Sequence, residues 1–372
     1  MTKTHFDIAV LPGDGIGEEV VAPCLRLLDA ATRRAGGAKL NYIHAPAGAK
    51  HYLASGEALP AETMEVSKTS DAILLGAMGW PEVRYPDGTE IAPQLDLRTE
   101  LGLFAGVRPV RSIPGMPAPL ADPRGKQLDF VIIRESIEGL FALRDEGAVV
   151  DDREARDTMV ITREVCEPLF DFAFALTRQR QKTGSRRLLT CVDKANVFAS
   201  MAFFRKIFDE RHALNPDIAA DHAYVDATAL NLVRRPWDFD VMVTENMFGD
   251  ILSDLAAGLI GGMGFAPSAD IGQNHAVFQP CHGSAPDIAG QGIANPTATF
   301  LSGAMMLEWL GLKHTNPALI EAGELIRLAV DDAFAHGIRP YEAGGKDGTQ
   351  AISDAVLRAL ESRDLVSERV AG

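Results

Sequence analysis

Asn246-Met-Phe-Gly-Asp250-Ile-Leu-Ser-Asp254-Leu-Ala-Ala-Gly258 carries two aspartates four residues apart in an otherwise apolar run. Residues i and i+4 share a face of a helix, so the spacing predicts a helix with both carboxylates side by side. Like charges in that position repel and mildly destabilise a bare helix. A divalent cation reverses the sign, and carboxylate oxygens select hard ions such as Mg²⁺ or Mn²⁺. A solvated polar face is the alternative. The continuation Gly258-Leu-Ile-Gly-Gly-Met-Gly-Phe-Ala-Pro-Ser268 favours a metal site, because a small-residue loop lines a site better than it makes a surface.

Outward from this helix the chain alternates short apolar runs with helical spacing. Strands are predicted at Phe6–Leu11, Asp71–Leu75, Leu128–Ile133, Leu188–Val192, Phe239–Thr244 and Ala276–Gln279, and a helix at Glu18–Arg34. That alternation defines an α/β protein. Ser112–Gly125 is too rich in proline for a helix or a central strand and reads as a loop between two strands. Gly13-Asp-Gly-Ile-Gly17 follows a strand and precedes a helix, but its spacing is G-x-G-x-G, not G-x-G-x-x-G, and no acidic residue ends a second strand at the distance a ribose needs. It reads as a tight turn, not a pyrophosphate cradle, and the fold is expected to differ from the Rossmann fold.

The 372 residues hold 47% hydrophobic residues without a charge-rich or repetitive block, which suits a globular enzyme. With 36 basic against 51 acidic residues the net charge is −15, which opposes binding to nucleic acid or to an anionic membrane. Any anionic substrate must then be attracted locally. Four cysteines, at 24, 166, 191 and 281, lack Cys-x-x-Cys spacing and read as thiols of a reducing compartment. No apolar run spans a bilayer and no signal-peptide core opens the chain, so a cytoplasmic protein is expected.

Seven pieces in order carry a resemblance over nearly the whole chain: Leu11–Gly17; Leu97-Arg98 with Arg108-Pro; Arg134-Glu135; Val192-Asp-Lys-Ala-Asn196; Asp226; the aspartate helix; and His282-Gly-Ser-Ala-Pro-Asp287 followed by Asn295-Pro. The sequence resembles the β-decarboxylating dehydrogenases, which include isopropylmalate, isocitrate, tartrate, D-malate and homoisocitrate dehydrogenases. The resemblance implies a large mixed sheet with helices on both faces. It also implies a discontinuous cofactor domain of about 1–103 plus 261–372, and an inserted α/β domain of about 104–260 that makes a homodimer. Asp157-Thr-Met-Val-Ile-Thr162 is expected to supply a strand to an arm shared between subunits.

It also assigns roles. Arg98, Arg108 and Arg134 would clamp the malate carboxylates, as guanidinium forks do. Asp226 would join Asp250 and Asp254 as third metal ligand. Lys194, just after an apolar strand, would relay the proton of the substrate hydroxyl, an ion pair with Asp193 being the structural alternative. Lys194 and Asp226 would reach the site from the neighbouring subunit, so a monomer would lack a complete site. Ile16 would lie near the nicotinamide. In the loop from His282, the N–H groups of Gly283 and Ser284 would meet phosphate, His282 would lie against the adenine, Ala285 would join them in binding the cofactor and Asn295 would bond the adenine edge. Asp287 would accept from the ribose hydroxyls of NAD and repel the additional phosphate of NADP.

The expected reaction is NAD-linked, metal-dependent oxidation of a (2R)-malate-type acid with decarboxylation, isopropylmalate dehydrogenase-like. Tartrate, D-malate or 3-methylmalate dehydrogenases are the alternatives, as is a non-catalytic regulatory subunit of such an enzyme. Two departures stand out. Phe141 occupies the place of the tyrosine that protonates carbon after CO₂ leaves, and phenylalanine has no proton to give. Before Arg98, where the family reads the substituent of the malate, stand Ile91, Ala92, Gln94 and Leu95, half of an isopropylmalate pattern and without the serine that accompanies isocitrate.

Overall fold

Apolar residues on both faces of a strand require cover on both sides. In β1 (His5–Gly13), Ile8 and Val10 enter the main core while Ala9 and Leu11 enter a second cluster on the opposite face. Leu74 and Ile73 divide likewise in β3 (Ala72–Ala77). The computed structural model describes residues 3–181 and 184–362. The remaining strands are β2 (Lys39–His44), β4 (Ala105–Arg111), β5 (Asp129–Glu135), β6 (Ala148–Val150), β7 (Glu154–Arg156), β8 (Leu188–Asp193), β9 (Ala219–Tyr224), β10 (Val241–Thr244), β11 (Pro267–Ile271) and β12 (Ala276–Pro280).

Ten of them form one sheet in the order β2-β1-β3-β12-β11-β4-β5-β10-β8-β9. Pairing is parallel except where β11 meets β12 and β4, and where β4 meets β5. This is the large mixed α/β sheet expected, with helices on both faces. Helices Gly17–Ala35, Thr297–Lys313, Pro317–Ala335 and Thr349–Glu361 cover one face at the β1–β3 end, and the helix Pro93–Glu100 contributes Leu97 to the other. Helix Gly17–Ala35 begins directly after the glycine turn, as the spacing predicts.

The strand expected at 157–162 is corrected. Only a bridge from Val160 to Gly139 forms there, and the arm-like element lies just before it, as the β6–β7 hairpin. Asp151 and Asp152, both at φ +53°, turn that hairpin, a left-handed conformation that aspartate tolerates and β-branched residues resist. No helix among the described residues is long and apolar enough to cross a membrane.

Candidate active site

The carboxyl ends of parallel strands are where α/β sheets bind ligands, and Arg134 stands at that end of β5. Its neighbour β10 pairs Thr244 with Arg134, so the helix that follows, Asn246–Leu259, starts beside the guanidinium. Arg134 Nε donates to Asn246 Oδ1 at 2.8 Å and its Nη1 to Asp250 Oδ1. Gly249 makes this approach possible, since a Cβ there would meet Arg134 Cβ at 2.6 Å. Glu245 caps the helix, accepting from the N–H of Met247 at 2.7 Å.

The other two arginines meet at Asp270 on β11. Arg98 Nε donates to Asp270 Oδ2 at 3.1 Å, and Arg108 Nη2 lies 3.8 Å from Oδ1. Gln279 Nε2 donates to the same carboxylate at 2.7 Å. Burial pushes the Asp270 carboxyl up, but Arg98, Arg108 and Arg134 together outweigh it and hold the pKa below its ordinary value. Arg108 Nε–H is buried and has no partner. Arg134 is pushed down to about 10, first by burial and then by the charge of Arg98, and so stays protonated at neutral pH while favouring an incoming anion.

The three arginines, Asp250 and Gln279 line one cleft of about 270 Å³ with Gln94, Leu95, Phe141, Ser253, Asp254, Pro280 and Cys281. The three arginines, Asp250, Asp254, Gln94, Leu95 and Phe141 are thus brought together. Asp254 is held above its ordinary pKa, by burial first and then by Asp250 alongside it, the repulsion that a bound cation would relieve.

Lys194 and Asp226 stand apart. Lys194 follows β8 and Asp226 follows β9, the edge strand paired with it, so the two meet each other, Nζ to Oδ1 at 2.5 Å. That bond holds Asp226 below its ordinary pKa. Neither residue lines the cleft, and no group of three or more His, Cys, Asp or Glu side chains suited to a metal forms among the described residues. Asp193 belongs to Arg205, two bonds of 2.7 Å, so the ion pair between Lys194 and Asp193 does not form.

The glycine turn packs against the loop from His282. Ile16 N donates to Ser284 O at 2.9 Å, and Ile16 lies in an apolar cluster with Ala285 and Ile288. Gly15, at φ +58°, is required here, because a Cβ would meet Ser284 O at 2.0 Å. Asp14 binds the N–H groups of Ala49, Lys50 and Gly79 at 2.8–2.9 Å, which makes Gly13–Gly17 a tied turn and not a phosphate cradle. Ser284 Oγ is spent on Gly79 O, whereas nothing lies within 4 Å of the side of Gly283 where a Cβ would stand. Ala285 sits at φ +41°, a strained loop position of the kind that collects at sites. His282 stays neutral, its pKa lowered by burial, with Nε2 unpartnered. Asp287 is exposed. The Asn295 side chain is engaged at both ends, Nδ2 to Glu342 at 2.5 Å and Oδ1 from Thr297 Oγ1 at 2.6 Å, so one amide N–H remains for an adenine edge.

Several residues of the site escaped the sequence reading. Asp270, Gln279 and Glu342 are brought in by strand pairing or by distant loops, and no local spacing marks them. Asn246 was visible beside the aspartates, but its role in orienting Arg134 was not.

Central strands of the mixed sheet thus present Arg108 and Arg134, and the helix Pro93–Glu100 presents Arg98, to a pair of helical aspartates, the arrangement expected of a β-decarboxylating dehydrogenase. The profile of the isocitrate/isopropylmalate dehydrogenase family matches residues 7–356. A 3-isopropylmalate dehydrogenase from Moorella thermoacetica is 42% identical over 97% of this chain and 99% of its own. A 3-isopropylmalate/3-methylmalate dehydrogenase from Methanocaldococcus jannaschii is 40% identical over 95% and 98%. The crystal structure of isocitrate dehydrogenase from Methylococcus capsulatus superposes with a TM-score of 0.85 at 33% identity, over 96% of this chain and 100% of that one. The chain belongs to the isocitrate/isopropylmalate dehydrogenase family. It is an enzyme, a decarboxylating dehydrogenase, and the regulatory-subunit alternative falls away.

Proposed function

We propose that this enzyme oxidises a (2R)-malate-type acid with NAD and Mg²⁺ or Mn²⁺, normally with loss of CO₂, as a cytoplasmic homodimer whose clefts are each completed by the partner's Lys194 and Asp226. The observation that carries the reading is the charge of the cleft. Three guanidiniums face three carboxylates, Asp250, Asp254 and Asp270, so a divalent cation on the helical pair leaves two positive charges for the two carboxylates of a malate. Arg98, Arg108 and Arg134 then orient the acid. The partner's Lys194 would take the hydroxyl proton, and NAD, held at its nicotinamide end by Ile16, would supply the hydride acceptor. A cation held by the aspartates supplies positive charge to the oxygen that becomes anionic. Asp287, exposed in the adenosine loop, supports NAD over NADP.

The second copy has a surface to occupy. Helices Val225–Arg234 and Asn246–Leu259 pack together and leave Leu230 and Ile251 exposed at 55% and 61%. Ile251 follows Asp250 directly and lies beside the face that carries the two aspartates, so a partner covering it comes close to them. The discontinuous domain division supports the same cleft, with Gln94, Leu95, Arg98 and Cys281 on the part comprising 1–103 and 261–372, and Arg108, Arg134 and Asp250 on 104–260. Relatives named for 3-isopropylmalate make a 3-alkylmalate one candidate substrate, and tartrate or D-malate the others.

The test follows NADH formation from D-malate with Mn²⁺. Turnover should require the metal, stop on chelation and favour NAD over NADP. Full activity in metal-free buffer, or equal kcat/KM with NADP, would contradict the reading.

A further inference from the structure

Four residues before Arg98 were candidates to read the substituent on C3, and the structure reduces them to two. Ile91 is fully buried in an apolar cluster with Ala49 and Ala58, and Ala92 does not line the cleft. Gln94 and Leu95 do. Gln94 lies one helical turn before Arg98, on the same face, so an acid whose carboxylate rests on Arg98 brings its next carbon and substituent to Gln94.

Gln94 Oε1 is shielded from solvent and has no hydrogen-bond partner. A buried acceptor left unsatisfied is costly, and an apolar substituent packed against it leaves it so. A third carboxylate suits the place no better. A second cavity shares Leu95, the neighbour of Gln94, with the first and is lined by Asp87, Glu90, Asp96 and Asp145. The cation in that lining, Arg144, is already bonded to Asp96 at 2.9 Å. A neutral group that donates is what remains. Whichever way the amide is turned, a hydroxyl can answer it, because a hydroxyl both donates and accepts.

We infer that Gln94 selects malates bearing a hydroxyl on C3, tartrate-type acids, over 3-alkyl malates. The inference rests on the proposed (2R)-malate oxidation. In the reaction the C2 hydride passes to NAD⁺ and the C2 hydroxyl proton to a base. The C3 hydroxyl forms and breaks no bond and serves recognition alone. Sites built to bond a hydroxyl reject analogues lacking it far more strongly than apolar pockets reject a surplus or missing methyl group.

The experiment compares D-malate, 3-isopropylmalate and the two tartrates with a 2R centre, each with NAD and Mn²⁺, in the parent enzyme and in Gln94→Leu. In the parent, kcat/KM for one tartrate should exceed that for 3-isopropylmalate by about 10²-fold or more. Gln94→Leu should cut the tartrate value by a similar factor and raise that for 3-isopropylmalate. Gln94→Met, of matching length, carries the test if the leucine variant does not fold, as judged by its Tm. A parent enzyme that oxidises D-malate yet prefers 3-isopropylmalate to tartrate, or a preference unchanged in the variant, overturns the inference and leaves the proposed reaction standing. Absence of turnover with all the acids removes both.

Discussion

Phe141 lines the cleft without a group that could donate a proton. Its ring lines the cleft with the Arg134 guanidinium carbon 5.4 Å from its centroid, a cation–π contact that helps to hold the arginine. The phenol expected there would add a proton donor, and none of the groups that hold the acid depends on it. Oxidation should therefore survive while protonation of carbon slows, since general acids contribute about 10²–10⁴-fold to the step they serve. The ratio of CO₂ to NADH should fall below one, or decarboxylation should limit turnover, and Phe141→Tyr should restore it. A one-to-one ratio in the parent with no gain in the variant would leave Phe141 a packing residue. The arginines of this cleft are legible in the sequence through the family resemblance, because a lone arginine reads more readily as a surface residue. Their counter-charge Asp270 was not, because β4 and β11 bring it to them from more than a hundred residues away along the chain.

At the scale of elements, the end of β5 splits its last two residues between two environments. Arg134 faces the cleft, while Glu135, fully buried, accepts from the N–H of Ile137 at 2.6 Å and of Glu138 at 2.8 Å. Burial pushes Glu135 from an ordinary 4.5 up to about 8, against those two hydrogen bonds and with help from Glu138 and Glu245. The folded state then holds a proton that the unfolded chain has released. This contribution to stability is complete below about 4.5 and is lost as pH rises through about 8. Thermal unfolding should show Tm falling over that window, and Glu135→Gln should flatten the slope while costing about 1–3 kcal/mol through one N–H left unmatched. A slope unchanged in the variant would assign the titration to another group. Four strands that sequence patterning leaves unassigned have two causes. β2 and β9 are the two edges of the sheet, where Lys39-Leu-Asn-Tyr-Ile-His44 and Ala219-Ala-Asp-His-Ala-Tyr224 need no continuous apolar run. β4 and β11 lie at the centre but carry Arg108, Pro109, Ser268 and Asp270, so site chemistry masks the hydrophobic pattern.

The whole molecule carries a formal charge of −15, yet it concentrates three buried arginines at one cleft. The same cleft lacks Lys194 and Asp226, which wait together at the sheet edge near an uncovered apolar face. A cyclic dimer reconciles these facts, since its two-fold axis would give each cleft the other copy's pair. The direct test mixes and refolds two inactive variants, Lys194→Ala and Asp250→Asn. In the mixed dimer one site would combine an intact Asp250 with the partner's intact Lys194, and the other would carry both lesions. With random pairing, activity should recover to about a quarter of the parent's, as two-fold symmetry requires. Recovery near that level supports a shared site. A mixture that forms mixed dimers but stays as inactive as its parts would show that each chain supplies its own lysine, and the account of a cleft completed by the partner would fall.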